Sequence, residues 1–277
     1  MPTTEDRVAS HYTTDALIQR IQGALGQLGI DISAATPADL KLVDEFHTGG
    51  LEATLDLLDQ LEIGSATRVL DIGCGIGGTA RAVTERYGCQ VTGVDLTPAF
   101  VETAAALTDM VGLSGQTTFR QGSALALPVQ DEGFDIALLL HVGMNIADKG
   151  TLFTEARRAL CPGGHFAVFD VMTGPVAEGL AFPLPWSSVP ETSFLAPPSA
   201  YRAAAEAAGF ALIAERGRSD FAKAFFEKAF ARVAAEGAPP LGIHILMGET
   251  AGEKLKNYVA NLEAGRVAPT EMIFRAT

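Results

Sequence analysis

The apolar positions of the chain follow two rhythms. Short strand-like segments near residues 68–72, 90–94, 117–121, 134–140 and 164–171 recur at regular intervals, and stretches of helical period lie between them. That alternation predicts a parallel sheet with right-handed crossovers. Upstream, "TDALIQRIQGAL" sets Leu17, Ile18, Ile21 and Leu25 on one helix face, with Thr14 or Asp15 as the N-cap, and "GGLEATLDLLDQL" makes a second helix. After residue 172 the rhythm breaks. Pro175, Pro183, Pro185, Pro190, Pro197 and Pro198 exclude regular helix or central strand and predict a long loop of the kind that serves as a lid. A helix, "SAYRAAAEAAGF", then ends at Gly209 and leads into a strand, "FALIAERG"; residues 219 to about 266 read as a helical insertion before a last strand, "TEMIFRA".

Composition narrows the class. With 277 residues, 48% hydrophobic and 19% charged, the chain is globular and long enough for a large core. No stretch approaches the ~18 uninterrupted apolar residues of a membrane helix, and "MPTTEDRVAS" lacks the pattern of a signal or transit peptide. A cytoplasmic protein without membrane attachment is expected, acting as a monomer or homodimer. A net charge of -13 opposes docking on a phosphate backbone, so nucleic acid is not an expected partner and a small-molecule substrate is. Cys74, Cys89 and Cys161 lie far apart and show no metal-ligand spacing, which predicts neither disulfides nor a metal site.

Candidate chemistry concentrates at "VLDIGCGIGG", residues 69–78, where a strand runs into G-x-G-x-x-G at Gly73, Gly75 and Gly78. Glycines at a strand-to-helix junction let backbone approach a nucleotide, and the helix beginning near Gly78 offers free N–H groups. Asp95, 22 residues after Gly73 at the end of the next strand, is spaced to reach both hydroxyls of a ribose. The two features predict an adenosine site and suit NAD and S-adenosylmethionine alike. Asp71, directly before the turn, would repel the pyrophosphate of NAD and attract the ammonium of a methionine moiety.

With "FDIALLLHV" and "LCPGGHFAVFD" following in order, residues 65 to 175 resemble the class I S-adenosylmethionine-dependent methyltransferases. The resemblance implies a Rossmann-like α/β fold: a seven-stranded, mostly parallel sheet with helices on both faces, an N-terminal helical lid (1–60), a cofactor-binding core (61–175), and a C-terminal part (176–277) carrying substrate-cap insertions at about 176–200 and 219–266. It implies that Gly73, Gly75 and Gly77 line the methionine and ribose, that Asp95 binds the ribose, and that Leu96 packs on the adenine. Ser123 and Ala124 in "QGSALALP" follow strand three, with Ser123 standing where the family has an acid for the adenine amino group.

"HYTTD" at 11–15 and the segment from Gly49 resemble the small-molecule N-methyltransferases that include the phosphoethanolamine and sarcosine/dimethylglycine enzymes. That resemblance implies a catalytic pair of Tyr12 and His141, with His141 also beside the cofactor and Asn145 holding the loop or touching substrate. The chain departs from the phosphoethanolamine enzymes by having no basic residue from Val171 to Tyr201, which disfavours a phosphorylated acceptor. An apolar wall of Phe182, Trp186, Phe194, Leu241, Ile243, His244 and Met247 is expected instead, with Trp186 and His244 against substrate. The expected activity is methylation of a small molecule at nitrogen. The alternatives are carbon or oxygen methylation of a quinone- or lipid-like molecule, an NAD-dependent oxidoreductase, or a protein that binds the nucleoside without catalysis.

Overall fold

The computed structural model describes residues 3–12, 16–176 and 178–277. Seven strands form one sheet in the order β3-β2-β1-β4-β5-β7-β6: β1 Arg68–Ile72, β2 Gln90–Asp95, β3 Thr117–Gln121, β4 Phe134–Leu140, β5 Leu160–Thr173, β6 Phe210–Gly217 and β7 Val267–Ala276. The first five run parallel, and β7 lies antiparallel between β5 and β6. After β1 the chain builds outward through β2 and β3 and then returns to start β4 on the other side of β1. The carboxyl ends of β1 and β4 therefore part around a crevice, where open α/β sheets bind their ligands.

Side-chain alternation divides the core between the two faces. Leu70, Leu139, Phe166, Val168 and Phe274 pack on one face with Phe153 of α7 (Lys149–Ala159) and Tyr201 of α8 (Pro198–Ala207). Val69, Ile136, Leu138, Phe169 and Ile273 pack on the other with Leu57 of α4 (Gly50–Leu58) and Val83 of α5 (Gly78–Tyr87). Central strands buried on both faces need near-continuous apolar sequence, which is why these segments read so clearly.

The remaining helices cover the carboxyl end of the sheet. α1 (Thr4–Tyr12) buries none of its side chains, whereas α2 (Leu17–Gln27) buries Leu17, Ile21, Ala24 and Leu25. The expected caps Thr14 and Asp15 lie outside the described residues; Ala16, in a left-handed conformation, occupies the cap position. α3 (Pro37–Asp44) and α6 (Pro98–Met110) flank α2, and the segment beyond β6 forms α9 (Ser219–Glu236), α10 (His244–Met247) and α11 (Ala251–Glu263). Among the described residues no helix is long and apolar enough to cross a membrane.

One buried ion pair locks this cover to the sheet. Arg81 on α5, 1% exposed, donates to both Asp44 oxygens at the end of α3, to Thr108 Oγ1 on α6 at 2.9 Å and to the Ile76 carbonyl at 2.9 Å. Gly78 is required beside it, because a Cβ there would lie 2.1 Å from the Asp44 carbonyl oxygen. Removing one partner strands the other charge in a dry interior. Arg81→Met should therefore lower unfolding stability by about 3–5 kcal/mol in urea melts, and a loss under 1 kcal/mol would show that Asp44 escapes to water.

Candidate active site

The turn after β1 is shaped by glycines in left-handed conformations. Gly73 has φ +75°, and a Cβ there would sit 2.3 Å from Val142 of the facing loop. The Gly73 and Cys74 amides donate to the Val94 carbonyl at 2.7 and 3.1 Å, which stitches the turn to β2. Asp95, at the end of β2, accepts from the Gly75 amide at 2.9 Å and the Thr97 amide at 2.8 Å. Asp71 is different: it is 2% exposed, and its Oδ2 has no hydrogen-bond partner among the described residues. Burial, reinforced by the carboxylates of Glu45 and Asp95, pushes its pKa up to about 7 against a smaller pull from His47.

A histidine network closes the crevice from the α3–α4 connection. His47 Nε2 lies 2.7 Å from Glu45 Oε2 and 2.9 Å from Thr54 Oγ1, while Nδ1 lies 3.2 Å from the Thr48 carbonyl. Its ring centroid is 5.7 Å from that of His141, which in turn lies 4.8 Å from Phe169. His141 holds φ +55°, rare for a residue with a Cβ, anchored by its amide donating to the Phe169 carbonyl at 2.7 Å. Its Nε2 is buried without a partner, and burial, with His47 beside it, holds its pKa well below the ordinary histidine range.

The loop that follows is fixed from behind. Tyr201 donates to Asp170 at 2.6 Å, a Cβ on Gly143 would lie 2.3 Å from that carboxylate, and Lys149 donates to the Ile146 and Phe194 carbonyls. Asn145 Nδ2 thereby meets the Tyr12 hydroxyl at 3.1 Å, and Tyr12 packs near Phe46 and Phe100.

Several of these groups line a cavity of about 300 Å³. Asp71, Gly73, Gly75, Asp95, Leu96, Ser123, Ala124 and His141 occupy one side, and Tyr12, Asn145, Trp186, Phe226, Leu246 and Tyr258 are among those forming an apolar chamber on the other. Trp186 is anchored by Nε1 donating to Ser193 Oγ at 3.0 Å and stands edge-on to Tyr258. No lysine or arginine lines the cavity among the described residues.

Residues 70–168 match the family model described as a methyltransferase domain. That stretch is similar to a methyltransferase domain. A probable tocopherol O-methyltransferase of Oryza sativa subsp. japonica is 36% identical over 100 residues, covering 36% of this chain and 28% of that protein. A sterol 24-C-methyltransferase of Gibberella zeae is 32% identical over 114 residues, covering 41% and 30%. The matches thus span less than a third of either relative's length. In fold, the phosphoethanolamine N-methyltransferase 2 of Haemonchus contortus, solved with phosphomonomethylethanolamine and S-adenosylhomocysteine, superposes with a TM-score of 0.74 at 19% identity, over 100% of this chain and 61% of that one.

The cavity fits S-adenosylmethionine on its own features. A buried Asp71 with one oxygen unpartnered among further acids calls for a cation, which the methionine ammonium supplies, and a pyrophosphate would meet the same acids with no lysine or arginine among the described residues to offset them. Two expected contacts lie elsewhere. Gly77 caps α5 at φ +84°, and a Cβ there would meet Phe119 and Arg81, so it is a packing glycine off the cavity wall. His244 sits in a separate shallow recess beside Arg20, Gln27 and Pro240, because it is Ile243 at the N-cap of the short α10 and Leu246 within it, three apart, that face the cavity. Of the expected apolar wall, Phe182, Phe194, Leu241 and Met247 also lie off the cavity lining, Leu241 packing with α2 instead.

Asp71 leaves a signature in stability. Its folded pKa of about 7 stands above the unfolded value near 3.8, so from about pH 4 to 7 the folded chain keeps a proton that the unfolded chain has lost. The contribution of this group to stability therefore falls as pH rises through that window and is flat above it. Asp71→Asn should unfold at higher urea than the native protein at pH 8, with the gap shrinking toward pH 5; a gap independent of pH would mean the carboxyl is already ionised at pH 5.

Proposed function

We propose that the protein transfers the methyl group of S-adenosylmethionine to an apolar small molecule, with an amine nitrogen as acceptor. The observation that carries this is the joining, in one cavity, of an acidic ledge suited to a cationic nucleoside and an apolar chamber free of lysine and arginine among the described residues. Bound S-adenosylmethionine supplies an electrophilic methyl group. Asp71 holds the ammonium, Asp95 the ribose hydroxyls, and Leu96, Ala124 and Leu125 pack around the base. Trp186, Phe226 and Tyr258 exclude water and seat the acceptor, which must be held about 3–3.5 Å from the methyl carbon.

His141 supports nitrogen over oxygen. A neutral amine attacks with its own lone pair, and the positive charge passes from sulfur to nitrogen inside an acidic cavity. A phenol must shed a proton, and burial opposes taking it up on His141. The role that suits this imidazole is therefore a hydrogen-bond acceptor, its Nε2 receiving an acceptor N–H and aiming the lone pair, with Tyr12 and Asn145 closing the chamber beside it. Tyr12 bonds Asn145, and no hydrogen bond joins it to His141 among the described residues. A second reading, methylation of a quinone- or sterol-like carbon or oxygen, draws on the apolar chamber and on the tocopherol and sterol specificities named for two relatives.

Mass spectrometry of S-adenosylhomocysteine formation with matched amines, phenols and prenylated or phosphorylated acceptors tests the reading. Apolar amines should turn over fastest and phosphorylated acceptors not at all; comparable kcat/KM for a phosphorylated acceptor would end it. His141→Ala should lower kcat by about 100-fold through lost orientation while S-adenosylhomocysteine affinity stays within a few-fold. Because His141 stays neutral far below the usual range, kcat should show no histidine limb near pH 6.5.

A further inference from the structure

The carboxyl edge of the sheet sets out a row of polar groups in strand order. His141 follows β4, Asp71 lies in β1, Asp95 ends β2, and Ser123 stands two residues beyond β3. Neighbouring strands lie about 4.8 Å apart, so the three steps span about 14 Å, enough for an extended nucleoside joined to an amino acid. With the ammonium at Asp71 and the ribose at Asp95, the purine falls beyond Asp95, against Leu96, Ser123 and Leu125, which line that end of the cavity. An adenine amino group arriving there needs an acceptor.

Ser123 is poorly placed to be that acceptor alone. Its Oγ receives the Leu125 amide at 3.0 Å and donates its proton to Glu5 Oε1. The other carboxylates on the cavity wall are committed or sit elsewhere along the row. Asp44 is held by Arg81, Asp148 accepts from the Thr151 amide and hydroxyl, and Asp71 and Asp95 belong to the first two strands. Glu5 remains. It is half-buried, lines the cavity, and its Oε2 carries no hydrogen bond among the described residues. It comes from α1, 118 residues away in sequence from the serine it holds.

α1 is otherwise lightly attached. It buries no side chain, and its C-terminal end is held by His11 Nε2 at 3.1 Å from the Pro185 carbonyl and by Tyr12 against Asn145. Nine residues at 1.5 Å each make a helix about 13 Å long, so it reaches from the purine corner to the mouth of the acceptor chamber beside Pro185 and Trp186. We infer that Glu5 completes the adenine-recognition corner from α1, so that the nucleobase of the cofactor draws this helix shut over the acceptor chamber. The adenine amino group donates to Glu5 while Ser123 orients the carboxylate from behind, and the same helix then presents Tyr12 to the acceptor. The cofactor binds first and builds part of the acceptor site.

This inference rests on the S-adenosylmethionine reading, and the experiment separates the two. Isothermal titration compares S-adenosylhomocysteine with S-inosylhomocysteine, in which a carbonyl replaces the amino group, on the native chain, Glu5→Ala, and the double variant Glu5→Ala with Ser123→Asp; circular dichroism checks folding. The native chain should prefer the adenosyl ligand at least tenfold, Glu5→Ala should bring the ratio close to one, and the double variant should recover the preference from the β3 side. Hydrogen exchange across residues 4–12 should slow with S-adenosylhomocysteine, much less with the inosyl ligand, and not in either Glu5 variant. An unchanged ratio in Glu5→Ala, or equal protection of α1 by both ligands, would overturn the inference while leaving the cofactor reading standing. A native chain that binds neither nucleoside would overturn both.

Discussion

A carboxylate held out of water with nothing to bond is costly, and the carboxyl end of β1 holds one. Asp71 stands at the centre of the sheet, between β2 and β4, with Glu45 and Asp95 near it and no partner for its outer oxygen among the described residues. Folding tolerates this because the strand that carries it is buried on both faces and its neighbours are fixed independently: Asp95 by two backbone amides, Glu45 by His47 and Thr54, and the whole cover by Arg81. The strain is local, and the stability that bears it is spread through the sheet. Such a group is better understood through the cation it is built to receive than through any contact it makes in the free protein.

The fold was legible because its signals are strong and short-ranged. β1, β3, β4 and β6 begin and end where expected; for the central β1 and β4 the reason is burial on both faces, which admits little but apolar residues. β5 and β7 extend beyond the predicted spans: their antiparallel pairing continues to Thr173 and Val267, and at its other end β5 reaches Leu160, which pairs with Phe134 of β4. The glycine turn, Asp71 and Asp95 were equally readable, as each owes its place to a fixed distance from a strand end.

What escaped the sequence reading is long-range. Glu45 and His47 sit in "EFHTGG", a connection without periodicity, and only the packing of α4 against the sheet brings His47, with Glu45 bonded to it, beside His141. Phe226 and Tyr258 were indistinguishable from ordinary core aromatics on amphipathic helices, and they meet Trp186 only because α9 and α11 fold back over the Pro-rich loop. His244 misled for the opposite reason: in a helix of four residues, one position decides which side chain faces inward, and the apolar Leu246, with Ile243 at the N-cap, takes that face. Glu5 carried no local signal at all, since its partner Ser123 lies on the far side of three strands' worth of sequence.

The acidic ledge and the apolar chamber act on each other. Apolar walls exclude water, and with water gone the carboxylates act through a lower effective dielectric, so each pulls harder on positive charge than it would at the surface. The same dryness drives two titratable groups of the cavity apart, Asp71 toward keeping its proton and His141 toward refusing one. A neutral imidazole facing a reluctant carboxylate makes a poor proton relay and a good fixed dipole. Transfer of a methyl group, in which positive charge moves a short way and stays, asks for orientation and a negative surround more than for proton traffic, and that is what this cavity has to give.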